Sequence, residues 1–295
     1  MKPNAIPATL LLALACTLVA SLARAQNDSD FPHALALGPA DAISSSAGGS
    51  GEEEAAKEAE LARATVNPVA AVITVPIQNN WDFGIGPADA MKYTANIQPV
   101  IPIALDKDWN LIVRTIMPLI YAESPQPGGS DRNGLGDILQ SFFLSPQKLA
   151  NGWVLGAGPA MLYPTATDSA LGAGKWAAGP TVVALRQEKG FTYGILANQI
   201  WTYAGWGNQE VNATFLQPMF GYTTKTLTTF LVNTETTYDW HAGQATVPLN
   251  FMATQLLKIG RQPLALQLGY RYYVEKPDGG PDWGLRFQVT FLFPK

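Results

Sequence analysis

Cysteine is almost missing. Cys16 is the only one, and it lies in a leader marked for removal, so the exported chain can hold no disulfide and draws its stability from sheet closure, packing and any surrounding membrane. Long apolar runs are missing too. After residue 25 none approaches the ~18 to 20 residues that a helix needs to cross a bilayer, which excludes a helical membrane protein. A basic cluster is also lacking: 19 Lys and Arg are spread among 23 Asp and Glu, so nucleic acid is not an expected partner. Histidine is limited to His33 and His241. A His–Cys metal site cannot be built from the mature chain, and neither a metal nor a cofactor is expected.

What is present divides the chain in three. Residues 1–25 carry an early Lys2, an apolar run over 10–20 and a small-x-small end at Ala23-Arg24-Ala25. This predicts a secretory signal peptide cleaved between Ala25 and Gln26. Residues 26–65 hold eight of the 23 acids against Lys57 and Arg63. They pass through SSSAGGSGEEE into EEEAAKEAELARA, a stretch of good helix formers. This reads as an acidic periplasmic tether ending in a short helix, a solvated leader rather than a plug. From Val66 to Lys295 acids and bases balance, and the composition turns to Thr, Val, Leu, Phe, Tyr and Trp.

That body alternates with a period of two, the mark of extended strands whose neighbouring side chains face opposite ways. Twelve strands are expected, near 69–83, 92–104, 109–122, 137–145, 153–165, 176–187, 191–204, 211–224, 227–240, 245–257, 262–275 and 283–293. Connections after even-numbered strands are brief, such as Asp106-Lys107-Asp108, the EKG at 188–190 and Lys225-Thr226. Those after odd-numbered strands include SPQPGGSDRNGLG and KPDGGPD. Short turns at one end and long loops at the other is the outer-membrane arrangement. The fold class predicted is therefore all-β: a single antiparallel transmembrane β-barrel of about twelve strands over 66–295, set in outer-membrane lipid.

Tryptophan sorts the same way. Trp81, Trp176, Trp201, Trp240 and Trp283 fall at outer strand ends and Trp109 and Trp153 at inner ends. Two aromatic girdles at headgroup level would place them so. In the last strand Leu285, Phe287, Val289, Phe291 and Phe293 share one face and Arg286, Gln288 and Thr290 the other. It looks like the terminal strand by which barrel assembly machinery recognises its clients, although Pro294-Lys295 follow the aromatic residue.

The runs NPVAAVITVPIQNNWDFGIGP, NIQPVIPIALDKDWNLIVRTIMPLIY, GLGDILQSFFLSP, GPAMLYPTATD, TYDW and LLKIGRQPL carry a family resemblance. Over residues 60–295 the chain resembles a family of bacterial outer-membrane, transporter-like proteins labelled "neuromedin U" or grouped with the meta pathway of phenol degradation. The resemblance implies a barrel in the outer membrane and a role in transport. It also implies an aromatic or otherwise hydrophobic solute.

Candidate chemistry is sparse. Asp82-Phe83-Gly84 spells a kinase magnesium motif, but no Gly-rich loop or catalytic-loop motif accompanies it. Gly172-Ala173-Gly174-Lys175 is followed by Trp176 where a phosphate loop needs Ser or Thr. His241 precedes Ala242 and Gly243, without the nearby serine that a histidine-activated hydrolase requires. An enzyme is not expected.

The positive pattern is the inward face. Alternation places Gln78, Asn80, Asn96, Gln98, Arg114, Asn233, Glu235, Asp239, Gln267, Arg271, Glu275, Arg286 and Gln288 toward a lumen. A polar interior of both charge signs suits a passive channel for a small solute, with a non-conducting scaffold barrel as the alternative and an outer-membrane hydrolase behind it. Glu235 is near enough in strand order to meet Arg271 or Arg286 as a charged constriction. Pro76, Pro99, Pro118, Pro159, Pro180, Pro218 and Pro248 fall within strands, where each removes a ladder donor and predicts bulges.

Overall fold

A computed structural model describes residues 49–147, 152–206 and 210–294. The signal peptide, its cleavage site at Ala25 and Gln26, Cys16, His33 and most of the tether lie outside the described residues. The order is one helix, α1 (Gly49–Ala64), followed by β1 (Ile73–Ile85), β2 (Ala90–Ile97 continued by Val100–Ala104), β3 (Trp109–Ala122), β4 (Arg132–Leu135 continued by Ile138–Pro146) and β5 (Trp153–Tyr163). Then come β6 (Lys175–Glu188), β7 (Phe191–Gly205), β8 (Asn212–Thr223), β9 (Thr228–Thr234 continued by Thr236–Asp239), β10 (Gln244–Ile259), β11 (Gln262–Glu275) and β12 (Trp283–Phe293). Each strand pairs antiparallel with its neighbours, and β1 closes on β12 from Ile73 opposite Phe293 to Phe83 opposite Trp283. The result is a closed barrel of twelve strands.

The sequence-based strand limits agree with these within two residues, apart from the first and from the fourth, which begins at Arg132 rather than 137. Strand β1 starts at Ile73 rather than 69 because the preceding residues turn into the barrel. Turn chemistry follows the chain: Lys189 and Gly190 have φ of 48° and 85°, the left-handed pair of a two-residue hairpin turn that matches strand twist.

The three interrupted strands have a common cause. Proline cannot donate to the ladder, so its neighbour loses a partner. The break in β2 includes Pro99 itself, and the gap in β4 places Gly136, whose N–H is donated to the Pro118 carbonyl at 2.9 Å. The break in β9 at Glu235 lies between two prolines: Leu216 and Met219 of β8 oppose Thr236 and Asn233, bracketing Pro218, and on the other side Thr234 and Thr237 oppose Leu249 and Thr246 of β10, bracketing Pro248. Pro159 and Pro180 face each other without a shift.

Polar side chains are buried alongside an apolar inner cluster, and large apolar ones also face outward. Asn250 is fully buried, and Thr181, Thr192, Thr229 and Thr290 are almost so, whereas Phe230, Phe251, Leu268, Leu285 and Phe287 are exposed on the outer face. The interior polar groups pair with one another: Asn250 donates to Asn233 at 2.8 Å, Gln267 to Thr254 at 2.9 Å and Gln288 to Thr290 at 2.9 Å. An exterior this apolar on a ladder with no free edge suits lipid. Trp109, Trp153, Trp176, Trp201, Trp240 and Trp283 are exposed on that exterior, and Trp81 lies against Tyr93 with ring centroids 5.2 Å apart. Phe83 and Trp283 stack at 4.5 Å near the outer rim.

Closure predicts a gel behaviour. Unboiled protein in dodecyl sulfate should migrate differently from boiled protein, because a closed ladder has no strand from which to fray. Identical mobility before and after boiling would contradict the closed barrel.

Candidate functional site

The lumen is filled from its inner end by the chain's own N-terminal segment. The last turn of α1 and residues 65–70 enter it, held by local bonds: Thr65 Oγ1 donates to the Ala62 carbonyl at 2.6 Å, and the Val69 N–H is donated to Asn67 Oδ1 at 3.0 Å. Val66 and Val69 are buried in one cluster with Val100, Ile112, Phe143, Leu185, Leu196, Met219 and Leu231, contributed by strands around most of the circumference. Ala62, Ala64 and Ala70 pack separately against Leu256, Ala265 and Leu292. Gln187 donates to the Arg63 carbonyl at 3.2 Å, and Lys258 pairs with Glu54 at 3.2 Å where the helix leaves the mouth. Residues 61–70, expected from sequence as the end of the leader and the start of a strand, pack inside the barrel.

Above this segment lies a cavity of about 350 Å3, floored by residues 64–68. Of the residues placed inward by alternation, Gln78, Asn96, Gln98, Arg114, Asn233, Glu235, Gln267, Arg286 and Gln288 line it. Asn80 is buried behind Arg286, and Arg271 is buried beside Asp82. Asp239 and Glu275 stand elsewhere, at exposed outer strand ends. The Asp239 carboxylate accepts the His241 and Ala242 N–H groups, and Glu275 accepts from Gln244 at 3.1 Å. Parity sets the face a residue points to and not its depth, and both strands run past the cavity.

The inward charges form one connected network. Glu235 receives both terminal nitrogens of Arg286 at 2.8 Å, a bidentate pair, and Arg271 approaches it at 3.7 Å. Arg271 also reaches Asp82 at 3.5 Å, and Tyr273 donates to Asp82 at 2.9 Å. Arg286 Nε donates to Asn80 at 2.8 Å. From there amide bonds continue through Gln78 and Gln98 to Arg114, which donates to Gln98 at 3.0 Å. The chain of contacts crosses the β1–β12 seam and spans six strands.

Local sequence makes room for it. Gly269 pairs with Arg286, and a Cβ there would stand 2.9 Å from Met252 and 3.2 Å from Arg286. Gly284 pairs with Arg271, and a Cβ there would meet Asp82 at 2.6 Å. Each arginine therefore lies over a glycine that leaves its side chain space to cross. Glu235, freed from the ladder between Pro218 and Pro248, turns inward to receive both. Asp82 and Tyr273 escaped the sequence reading, though each lies two residues beyond a residue assigned inward, and simple extension of the parity would have included them.

His241 lies in the turn after β9. Among the described residues no hydroxyl is hydrogen-bonded to its ring, so the arrangement holds no activated nucleophile there.

No family model matches the chain, and no curated protein is significantly similar to it. Among solved structures it is similar to the COG4313 outer membrane channel from Pseudomonas putida F1, at 17% identity and a TM-score of 0.59, over 77% of this chain and 97% of that one. Weaker likenesses include the NanC porin, at 14% identity and a TM-score of 0.48 over 75% of this chain and all of that one. A CymD monoaromatic hydrocarbon channel matches at 7% identity and 0.44 over 81% and 91%. At 17% identity the property shared with the COG4313 channel is the fold, a closed antiparallel β-barrel.

Proposed function

We propose that this barrel is a passive outer-membrane channel for a small solute, and that residues 61–70 set its resting, narrowed state. The observation that carries this reading is the internal cavity, polar along most of β1–β3 and of mixed polar and apolar residues along β7–β9, enclosed by a barrel whose exterior suits lipid. Twelve strands lie between the eight that pack solid and the ~16 that leave a wide pore, so a plug of a few residues suffices to occlude the lumen. The apolar residues Ile200, Phe215, Met219 and Leu231 within that lining support an aromatic or otherwise hydrophobic solute. We assign no catalytic role. Export by a cleaved signal peptide, delivery by the barrel assembly machinery through β12 and residence in outer-membrane lipid complete the proposal.

The plug also favours a second reading, a scaffold barrel that never conducts. Liposomes carrying the full mature chain decide between them. A channel should swell measurably in small sugars or amino acids and show unitary conductance in planar bilayers. Folded protein without either activity, even after removal of the plug, would leave the scaffold.

A further inference from the structure

Four of the five charged groups in this network satisfy one another: Glu235 and Asp82 between them receive Arg286 and Arg271. Arg114 is the exception. Among the described residues its guanidinium makes one side-chain bond, to the neutral amide oxygen of Gln98, and no ion pair. It lines the cavity, and across from it stand Ile200, Phe215, Met219 and Leu231, interspersed with Asn198, Gln217, Asn233 and Glu235. A guanidinium carries five N–H donors in a planar fork suited to a carboxylate. Beyond the one given to Gln98 it keeps further donors, and the charge of Glu235 reaches it only across space, without an ion-pair contact.

We propose that this half of the cavity is a ligand site, with Arg114 as the carboxylate-binding group and the Ile200, Phe215, Met219 and Leu231 wall as the seat of an apolar body. The occupant class is a small amphipathic carboxylate, of which an aromatic acid is the simplest. The size agrees: about 350 Å3 is at the small end of the roughly 300–1,000 Å3 range of ligand pockets. Gln98 fixes the orientation of the fork, since the same amide that accepts from Arg114 donates to Gln78. The inference names a solute class for the proposed channel and rests on that reading for the route by which the ligand arrives.

Binding is measured on the folded full-length protein in detergent, by titration calorimetry and saturation-transfer NMR. Benzoate carries both the charge and the ring; benzyl alcohol has the ring alone and chloride the charge alone. Benzoate should bind about tenfold more tightly than either, the difference expected of one charge-assisted contact. Arg114→Gln should remove that advantage and Arg114→Lys should retain part of it. Gln98→Glu keeps the guanidinium but sets a carboxylate against it, and should weaken benzoate to the level of benzyl alcohol while the heat-dependent gel shift persists. Equal binding of the three probes, or benzoate affinity unchanged in both Arg114→Gln and Gln98→Glu, overturns the site while leaving conduction untouched. Benzoate binding that depends on Arg114 in a protein without conductance or swelling would keep the site and overturn the channel.

Discussion

Deleting residues 26–70 from the mature chain is expected to raise single-channel conductance several-fold and to make liposomes swell in larger solutes. A pore's conductance is limited by its narrowest section, and here the inner half of the lumen is occupied by Val66 and Val69 against side chains from around the barrel. The same deletion exposes the apolar socket and should cost stability. Two buried valines account for about 1.5–3 kcal/mol each by area burial, with the alanines of the second cluster adding less, so the urea midpoint should fall while the gel shift is kept. A milder change, Val66→Ser with Val69→Ser, should loosen the plug without removing it and give a larger but fluctuating conductance. A truncated barrel, shown to be folded, with the conductance of the full chain would mean that the segment does not limit the path.

Glu235→Gln is expected to have the second-largest effect, on stability and on ion preference together. Its carboxylate holds Arg286 at 2.8 Å through both oxygens and draws in Arg271. Arg286 is almost wholly buried, at 3% side-chain exposure, while Glu235 keeps 20%. Removing one partner of a buried pair costs roughly 3–5 kcal/mol, because the remaining charge is left without compensation. The partial access of Glu235 to the cavity places the expected loss near the lower end, about 3 kcal/mol. Replacing both residues, Glu235→Leu with Arg286→Leu, should cost clearly less than the two single changes added together, since no charge is then stranded. In bilayers Glu235→Gln leaves an excess of positive charge and should shift reversal potentials toward anion preference, whereas Arg286→Gln should shift them toward cations. Unchanged stability and unchanged selectivity in Glu235→Gln would show that the pair neither holds the wall nor faces the ion path.

These effects trace back to features that differ in how far sequence alone reveals them. Strand number and limits were legible because a wall between lipid and lumen imposes a strict period of two. Leu285 and Phe287 outside with Arg286 and Gln288 inside on β12 express it directly. The encounter of Glu235 with both arginines was legible as an expectation, since β9, β11 and β12 lie close in order and the three residues share the inner face. Its geometry was not. That depended on Pro218 and Pro248 flanking one residue from two neighbouring strands, and on Gly269 and Gly284 standing opposite the arginines. These are relations of register between strands, and parity within one strand carries no information about them. Asp239 shows the same limit, being of inward parity but at a depth where it caps a turn.

By itself, then, the sequence determined the class of fold, the two faces of each strand and the polarity of the interior, because those follow from local alternation and from the solvents on either side. Tertiary structure alone decided that residues 61–70 close the lumen. NPVAAV is apolar and short, and in isolation it suits a strand as well as a plug. Its socket is formed by Val100, Phe143, Leu185, Met219 and Leu231, which are scattered along the chain and meet only when the barrel closes. The same closure gives the Glu235 carboxylate to Arg286 and leaves Arg114 with no ion pair among the described residues, since which charges pair depends on which strands end up side by side.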